Sequence, residues 1–314
     1  MASGQDVVRP SAAEEAVRRA IEGRRSDLGS IWFQGLLLGS LVVAMGVLLS
    51  LLVDVAQRGA PILADRGLDF LTGNLSANPA IAGVQQGIVG SLGIIGFVVL
   101  LAFPIGIGTA IYLEEYARDT RLTRLLNAIV RNLAGVPAIV YGLLGLAIFV
   151  VALSGVTGGR SVIAGGLTIA ALVMPIVVIT TAEALRAVPR SIREAGYGVG
   201  ATKWEVIRHH VLPYAAPGIL TGSILTLSRA LGETAPLILA GAVLGGFATA
   251  PGRGVVEALQ GPYTALPTII FNWARQPSDA FRELTAAAII VLLMSILLMN
   301  GIAIILRNRF ERRW

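Results

Sequence analysis

Six stretches of this chain are too long and too apolar to form the interior of a water-soluble domain. They run over Ile31–Val53, Ile88–Leu113, Ala128–Leu153, Ser161–Thr181, Tyr214–Leu244 and Leu284–Leu306. A helix needs about 20 residues to cross the roughly 30 Å of hydrocarbon in a bilayer. The runs are continuous rather than alternating, which argues against a membrane barrel. Helices also satisfy their own backbone hydrogen bonds in lipid. The expected fold is therefore all-α: a polytopic membrane protein with six transmembrane helices. Composition agrees, since 55% of residues are hydrophobic, only 14% are charged and the mean hydropathy is +0.75.

The charges give an orientation. Arg and Lys crowd residues 1–30, the link after the second run (Arg118, Arg121, Arg124), the link after the fourth and the C-terminal residues 307–314. The other links hold only Arg58, Arg66, Arg160, Arg253, Arg275 and Arg282. The positive-inside bias puts both termini in the cytoplasm, and an even number of spans requires the same. The formal charge of +6 then marks cytoplasmic links rather than nucleic-acid binding. Residues 1–30 read as a polar cytoplasmic segment, helical or disordered. No secretory signal opens the chain, because the first apolar run starts only near Ile31. Residues 31–306 form the membrane domain, interrupted by a cytoplasmic loop over 182–213.

Several chemistries have no support. The chain has no cysteine and only two histidines, His209 and His210, so neither a disulfide framework nor a His-based metal cage is expected. No cofactor is indicated. No nucleophile–base constellation stands out. Glu114 and Glu115 are adjacent and do not share a helix face, and they sit near Arg118 and Arg121, so interfacial salt bridges are the expected role. No G-x-x-x-x-G-K-[ST] phosphate loop occurs, so a pump built on this chain takes its energy from ion coupling or from another subunit.

Inside the runs, Gly90, Gly93, Gly96, Gly106, Gly108, Gly142 and Gly145 allow close helix packing, with a hinge role as the alternative. Pro104, Pro137, Pro175 and Pro236 interrupt runs two to five, each removing a backbone donor. Such interruptions suit a bundle around a pathway, although packing alone also accommodates them. Between runs five and six lies "TALPTIIFNWARQP", an expected apolar helix near the interface, or a re-entrant segment.

The stretch "EAGYGVGATKWEVIRHHVLP" (Glu194–Pro213) separates runs four and five. Ser191 with Glu194, and Thr202 with Glu205, have capping-box spacing. Gly196, Gly198 and Gly200 permit a tight turn between them. Two short helices are expected, the second over about Lys203–His210 and stopping at Pro213. These signals alone do not require a docking partner.

The stretch also resembles the cytoplasmic signature loop of permease subunits of ATP-binding cassette importers. In that family the pattern is Glu-Ala-Ala, three residues, Gly, nine residues, then Ile-x-Leu-Pro. Here Glu194, Ala195, Gly196, Gly200, His210, Leu212 and Pro213 fall on it, with Gly196 in place of the second Ala and His210 in place of Ile. "GIGTAIYLEEYA", "NLAGVPAIVYGLLGLAIFV" and "LTLSRALGETAPLILAG" are similar to the permeases of phosphate importers. Tyr112–Tyr116 and Ala235-Pro236 favour the subunit called A. The resemblance covers roughly residues 85–310. It implies the bundle of a type I importer and a coupling loop that contacts the ATPase. It implies a second homologous permease, a dimeric cytoplasmic ATPase, an extracytoplasmic phosphate-binding protein and phosphate as cargo, in a prokaryotic cell membrane. Permeases for molybdate, tungstate or sulfate share the outline. On the residues alone, a self-contained channel or secondary transporter stays open.

Arg229 and Glu233 fall near the middle of the fifth run, four residues apart and hence on one helix face. A lone charge in hydrocarbon costs about 2.5–3.5 kcal/mol on insertion scales. The pair is therefore either structural, or an attractor for an oxyanion whose grip Glu233 moderates. Arg131 and Asn132, at the start of run three, with Ser228, Thr234 and Tyr141, are candidates for the same polar path.

Overall fold

The computed structural model describes residues 28–242 and 255–310, and these are helical with no strand among them. The expectations for residues 1–27, for 243–254 in the long fifth link and for 311–314 lie outside the described residues. The chain divides into two compact units, 1–54 and 55–314. In the first unit the described residues form the beginning of α1 (Leu28–Thr72). Its large side chains are exposed from Ile31 to Val53, as lipid-facing residues should be. Helix α1 runs past the expected end at Val53, and residues placed in a loop from Asp54 are helical instead. Gly67, at φ +44, supplies the kink that ends the regular part.

The second unit is built around α6 (Val162–Arg186), the most enclosed span, whose apolar window is 67% buried. Against it pack α2 (Gln85–Tyr116) and α8 (Lys203–Gly232), and α12 (Asp279–Phe310) packs on α8. The third run is not one continuous helix. It divides into α3 (Arg121–Ala134) and α4 (Ala138–Ala152), bent by 100° at Gly135-Val136-Pro137. The fifth run is not one continuous helix either, because α8 stops at Gly232 and the short α9 (Ala235–Leu239) follows. Among the described residues, five helices are long and apolar enough to cross a membrane, or six if the bent pair counts as one span. A helical turn, α5 (Ser154–Thr157), and two left-handed glycines, Gly158 and Gly159, close the short link before α6.

Small residues set the spacing around α6. Cβ atoms added at Gly218 or Gly222 would meet Ala184 or Thr180 at 2.9 and 2.5 Å, so α8 lies almost backbone to backbone on α6. The four prolines act differently. Pro175 lies within the continuous α6. Pro104 follows a widened turn, Val98–Ala102, in which the i→i+5 pattern absorbs the disturbance. Pro137 and Pro236 sit at the two breaks.

Between α10 (Val255–Gln260) and α12, the "TALPTIIFNWARQP" stretch forms α11 (Leu266–Ala274). It has nine residues, too few to span, and its Leu266, Ile269 and Trp273 are buried within the protein. Trp273 packs between Phe70 and Phe281, with ring centroids 6.4 and 5.9 Å away. Leu266 N–H donates to Ser91 Oγ at 3.0 Å, which fastens this segment to α2. Gly90 lets it approach, since a Cβ there would collide with the Thr264 carbonyl oxygen. Gly90→Ala should cost at least about 1–3 kcal/mol, the usual penalty of overpacking. Heat unfolding in detergent, followed by tryptophan fluorescence, measures it, and a wild-type midpoint would contradict the contact.

Candidate functional site

The two broken helices meet. A Cβ at Gly142 of α4 would lie 2.8 Å from Pro236 Cα of α9, so the pieces that follow each break pack directly together. Each break leaves backbone groups without helical partners. At the first, Tyr141 donates its hydroxyl to the Leu133 carbonyl at 2.9 Å, and Val136 N–H donates to the same oxygen at 3.1 Å. Tyr141 is thus satisfied within the bundle. At the second, Glu233 is extended, with φ −74 and ψ 125.

Arg229 and Glu233 are therefore not in mid-helix. They bracket the end of α8, because the chain stops being helical before Pro236, whose missing N–H and ring oppose continuation. Arg229 Nε donates to Glu233 Oε1 at 3.1 Å. The Arg229 side chain is 47% exposed and that of Glu233 17%. Only Nε is engaged among the described residues, so the other donors of the guanidinium fork remain for a second acceptor. Ser228 Oγ lies 3.0 Å from the Ile224 carbonyl and 2.9 Å from Asn300 Oδ1 on α12. Thr234 is half-buried in the break itself.

Arg131 and Asn132 are exposed at the end of α3. Arg131 lines a hollow with Glu183 and Arg186 near the far end of α6. The Gly222–Thr180 contact puts Arg229 about 10 Å further along α8, at 1.5 Å per residue. The structure brings Ser228, Arg229, Glu233 and Thr234 together, and places Arg131 closer to the loop.

The loop is a fixed elbow. Helix α7 (Arg190–Gly198) starts after Pro189 with no side-chain cap, so the expected Ser191–Glu194 box does not form. It ends in a Schellman turn. Ala201 N–H bonds the Gly196 carbonyl at 3.2 Å and Gly200 N–H bonds that of Tyr197 at 3.0 Å, with Gly200 at φ +83. The Thr202–Glu205 capping box does form, with Thr202 N–H donating to Glu205 Oε2 at 2.7 Å. The following helix does not stop at Pro213. A widened turn over Ile207–Val211 carries it on through α8, and Pro213 follows directly after that turn, where the regular ladder is already shifted.

Gly196 is buried, and a Cβ there would sit 2.7 Å from Val206 Cγ2, so a residue smaller than Ala is what lets the elbow close. Glu194, Ala195, Gly200, His210 and Pro213 are exposed, and Leu212 is half-buried. Exposure of His210 removes any demand for an apolar residue at that position.

Glu114 and Glu115 make salt bridges, but not with Arg118 and Arg121. Arg186 Nε donates to Glu114 Oε2 at 2.8 Å, and Arg186 Nη2 to Glu114 Oε1. Arg193 Nη2 lies 2.6 Å from Glu115 Oε1 and 3.0 Å from the Leu185 carbonyl, while Nη1 donates to the Val188 carbonyl at 3.0 Å. The Lys203 ammonium lies 5.1 Å from the centre of the Tyr116 ring. Arg186, Arg193 and Asn300 were missed by sequence reasoning. Arg193 sits one residue before the signature, among Arg190, Ser191 and Glu194, and nothing in that local sequence points to an interior partner.

A bundle of apolar spans, two of them broken at prolines, with an exposed helical elbow bearing the signature residues, defines an importer permease. The chain belongs to the family of binding-protein-dependent transport system inner membrane components, whose model matches residues 102–314. Its relatives include phosphate transport system permeases. It is 34% identical over 226 residues to the permease PstA of Yersinia pestis, covering 72% of each chain. It is 31% identical to PstA of Haemophilus influenzae, covering 83% of this chain and 87% of that one. A probable PstA from Methanocaldococcus jannaschii is 30% identical, with 81% and 84% covered. Among solved structures, a bacterial alginate ABC transporter matches with a TM-score of 0.64 and 16% identity, covering 90% of this chain and 95% of that one. The MetNI methionine ABC transporter in an inward-facing conformation matches at 0.56 and 18%, covering 73% and 98%. These two likenesses bear on the fold alone, and the fold is that of type I ABC importer permeases.

Proposed function

We propose that this chain is half of the path by which an ATP-driven importer moves inorganic phosphate into the cytoplasm. The observation that carries the reading is the Arg229–Glu233 pair at the junction of two broken helices. Broken helices with a charged group at the break are a recurrent way to hold an ion at membrane depth. A guanidinium suits a phosphate oxyanion. Glu233 neutralises it in part, which favours release, and a translocation site must release what it binds. The names of the PstA relatives support phosphate as the cargo. In this reading Ser228 and Thr234 line the path, and Arg131 and Asn132 lie toward its cytoplasmic end.

The path is completed by a second, homologous permease, and phosphate is delivered by an extracytoplasmic binding protein. A cytoplasmic ATPase dimer docks on the elbow through Glu194, Ala195 and Gly200, while Gly196, His210, Leu212 and Pro213 shape and position it. ATP hydrolysis belongs to that partner. Both termini are cytoplasmic in a prokaryotic cell membrane. The complete importer in vesicles, supplied with ATP and offered phosphate, molybdate or sulfate, tests the cargo. Uptake of phosphate in preference to the others is expected. Preference for molybdate or sulfate would replace the cargo, and uptake without the ATPase would replace the class.

Gly200 provides a separate check on the elbow. Left-handed backbone costs a residue other than glycine about 1–2 kcal/mol, and at φ +83 a β-branched side chain is worse. Gly200→Val should reduce the ATPase recovered with the permease while the spans stay folded. Unchanged recovery would count against docking at this turn.

A further inference from the structure

We propose that Glu114 and Glu115 on α2, with Arg186 and Arg193 beside the elbow, form a second linkage through which elbow movement enters the membrane. The inference rests on the ATP-driven import proposed above. Covalently, the elbow is joined only to α6 and α8. Helix α2 is remote in sequence, with partners 72 and 78 residues away, yet its end is fastened to the elbow's base.

The fastening is built on local geometry. The last turn of α2, Tyr112–Tyr116, is widened, with Ala117 N–H reaching the Tyr112 carbonyl at 2.8 Å. The turn presents the adjacent carboxylates to different arginines, one at the end of α6 and one on α7. Arg193 does two things at once. It neutralises buried Glu115, and it donates to the Leu185 and Val188 carbonyls at the end of α6. A cation suits that end, where carbonyls lack helical partners and the helix dipole is negative. The end of α6, α7 and the end of α2 are therefore held as one piece. Further along α2, the widened turn at Val98–Ala102 precedes Pro104, where the regular hydrogen-bond ladder is already interrupted. A tug on Tyr112–Tyr116 thus has a place to bend the span, since sharp bends form at such bulges and prolines. These four residues are positioning residues, and none is assigned contact with the cargo.

The test uses the complete importer in vesicles, with phosphate uptake and ATP hydrolysis measured together. Glu114→Gln, Glu115→Gln and the double variant remove the charges while keeping size. The expected result is normal recovery of the ATPase and continued hydrolysis. Phosphate moved per ATP in the double variant should fall at least about fivefold, the lower range of coupling between linked sites. An unchanged ratio in assembled complexes would overturn the linkage. A purely structural role would lower yield or melting temperature and leave that ratio alone. If Glu115→Gln fails to assemble, Glu114→Gln and Arg186→Gln, singly and together, decide the matter. Linked residues lose no more together than singly, whereas no loss, or additive losses, would overturn the proposal. The wild-type arm isolates the cargo reading, which falls if no ATP-driven phosphate uptake is seen there.

Discussion

Arg193→Ala should lower the unfolding temperature of the isolated permease more than any other removal of a charge discussed above. The Glu115 side chain is 6% exposed and that of Arg193 20%. Their attraction offsets the cost of withdrawing both from water only while both are present. Alanine at 193 leaves the carboxylate enclosed and unpaired, and it removes a donor from each of the Leu185 and Val188 carbonyls. Removing one partner of such a pair costs about 3–5 kcal/mol. Heating in detergent with tryptophan fluorescence gives the shift. A second variant gives the contrast: Glu115→Gln combined with Arg193→Met removes both charges and should recover part of the loss. If Arg193→Ala melts with the wild type, the pair is not enclosed as described.

Neutralising Arg229 should abolish most transport without dismantling the protein. Arg229→Gln keeps length and polarity but removes the charge that attracts an anion. The expected loss of phosphate uptake is about tenfold or more, each factor of ten being about 1.4 kcal/mol of stabilisation. This chain does not enclose the pair on the arginine side, at 47% exposure, so few contacts within the chain depend on the guanidinium. Recovery of the assembled importer should therefore match wild type. Loss of assembly with uptake per assembled complex unchanged would make the pair a structural fixture and remove it from the path.

What was legible in the sequence is what depends on near neighbours. Long apolar runs gave membrane helices, because burying backbone groups in lipid demands them. Thr202 and Glu205 gave a cap, because both partners lie within one turn. Gly200 marked the turn that φ +83 requires. The Ser191–Glu194 spacing misled because Pro189 takes the cap position, which leaves Ser191 inside α7. Pro213 misled because the widened turn before it spares the helix a lost bond. The breaks at Val136 and Glu233–Thr234 lie inside apolar runs, so hydropathy passes over them, and only the prolines pointed there. Within the site, Arg229 and Glu233 were found from their charge, but their place at a helix end was not. The partners of Glu114 and Glu115 are distant in the chain, and local reasoning supplied nearer arginines instead.

The elbow has one further consequence. Its Schellman turn, its capping box and the close seat of Gly196 on Val206 are all internal, made by the segment with itself. A partner meeting it finds a shape already set, and little rotational freedom remains to be surrendered on contact. Ordering losses of about 0.5–1.5 kcal/mol per immobilised side chain are thereby largely avoided. A small patch can then hold a large machine. The same residues cut out as a free peptide would have to find that shape anew, and should compete poorly with the intact elbow.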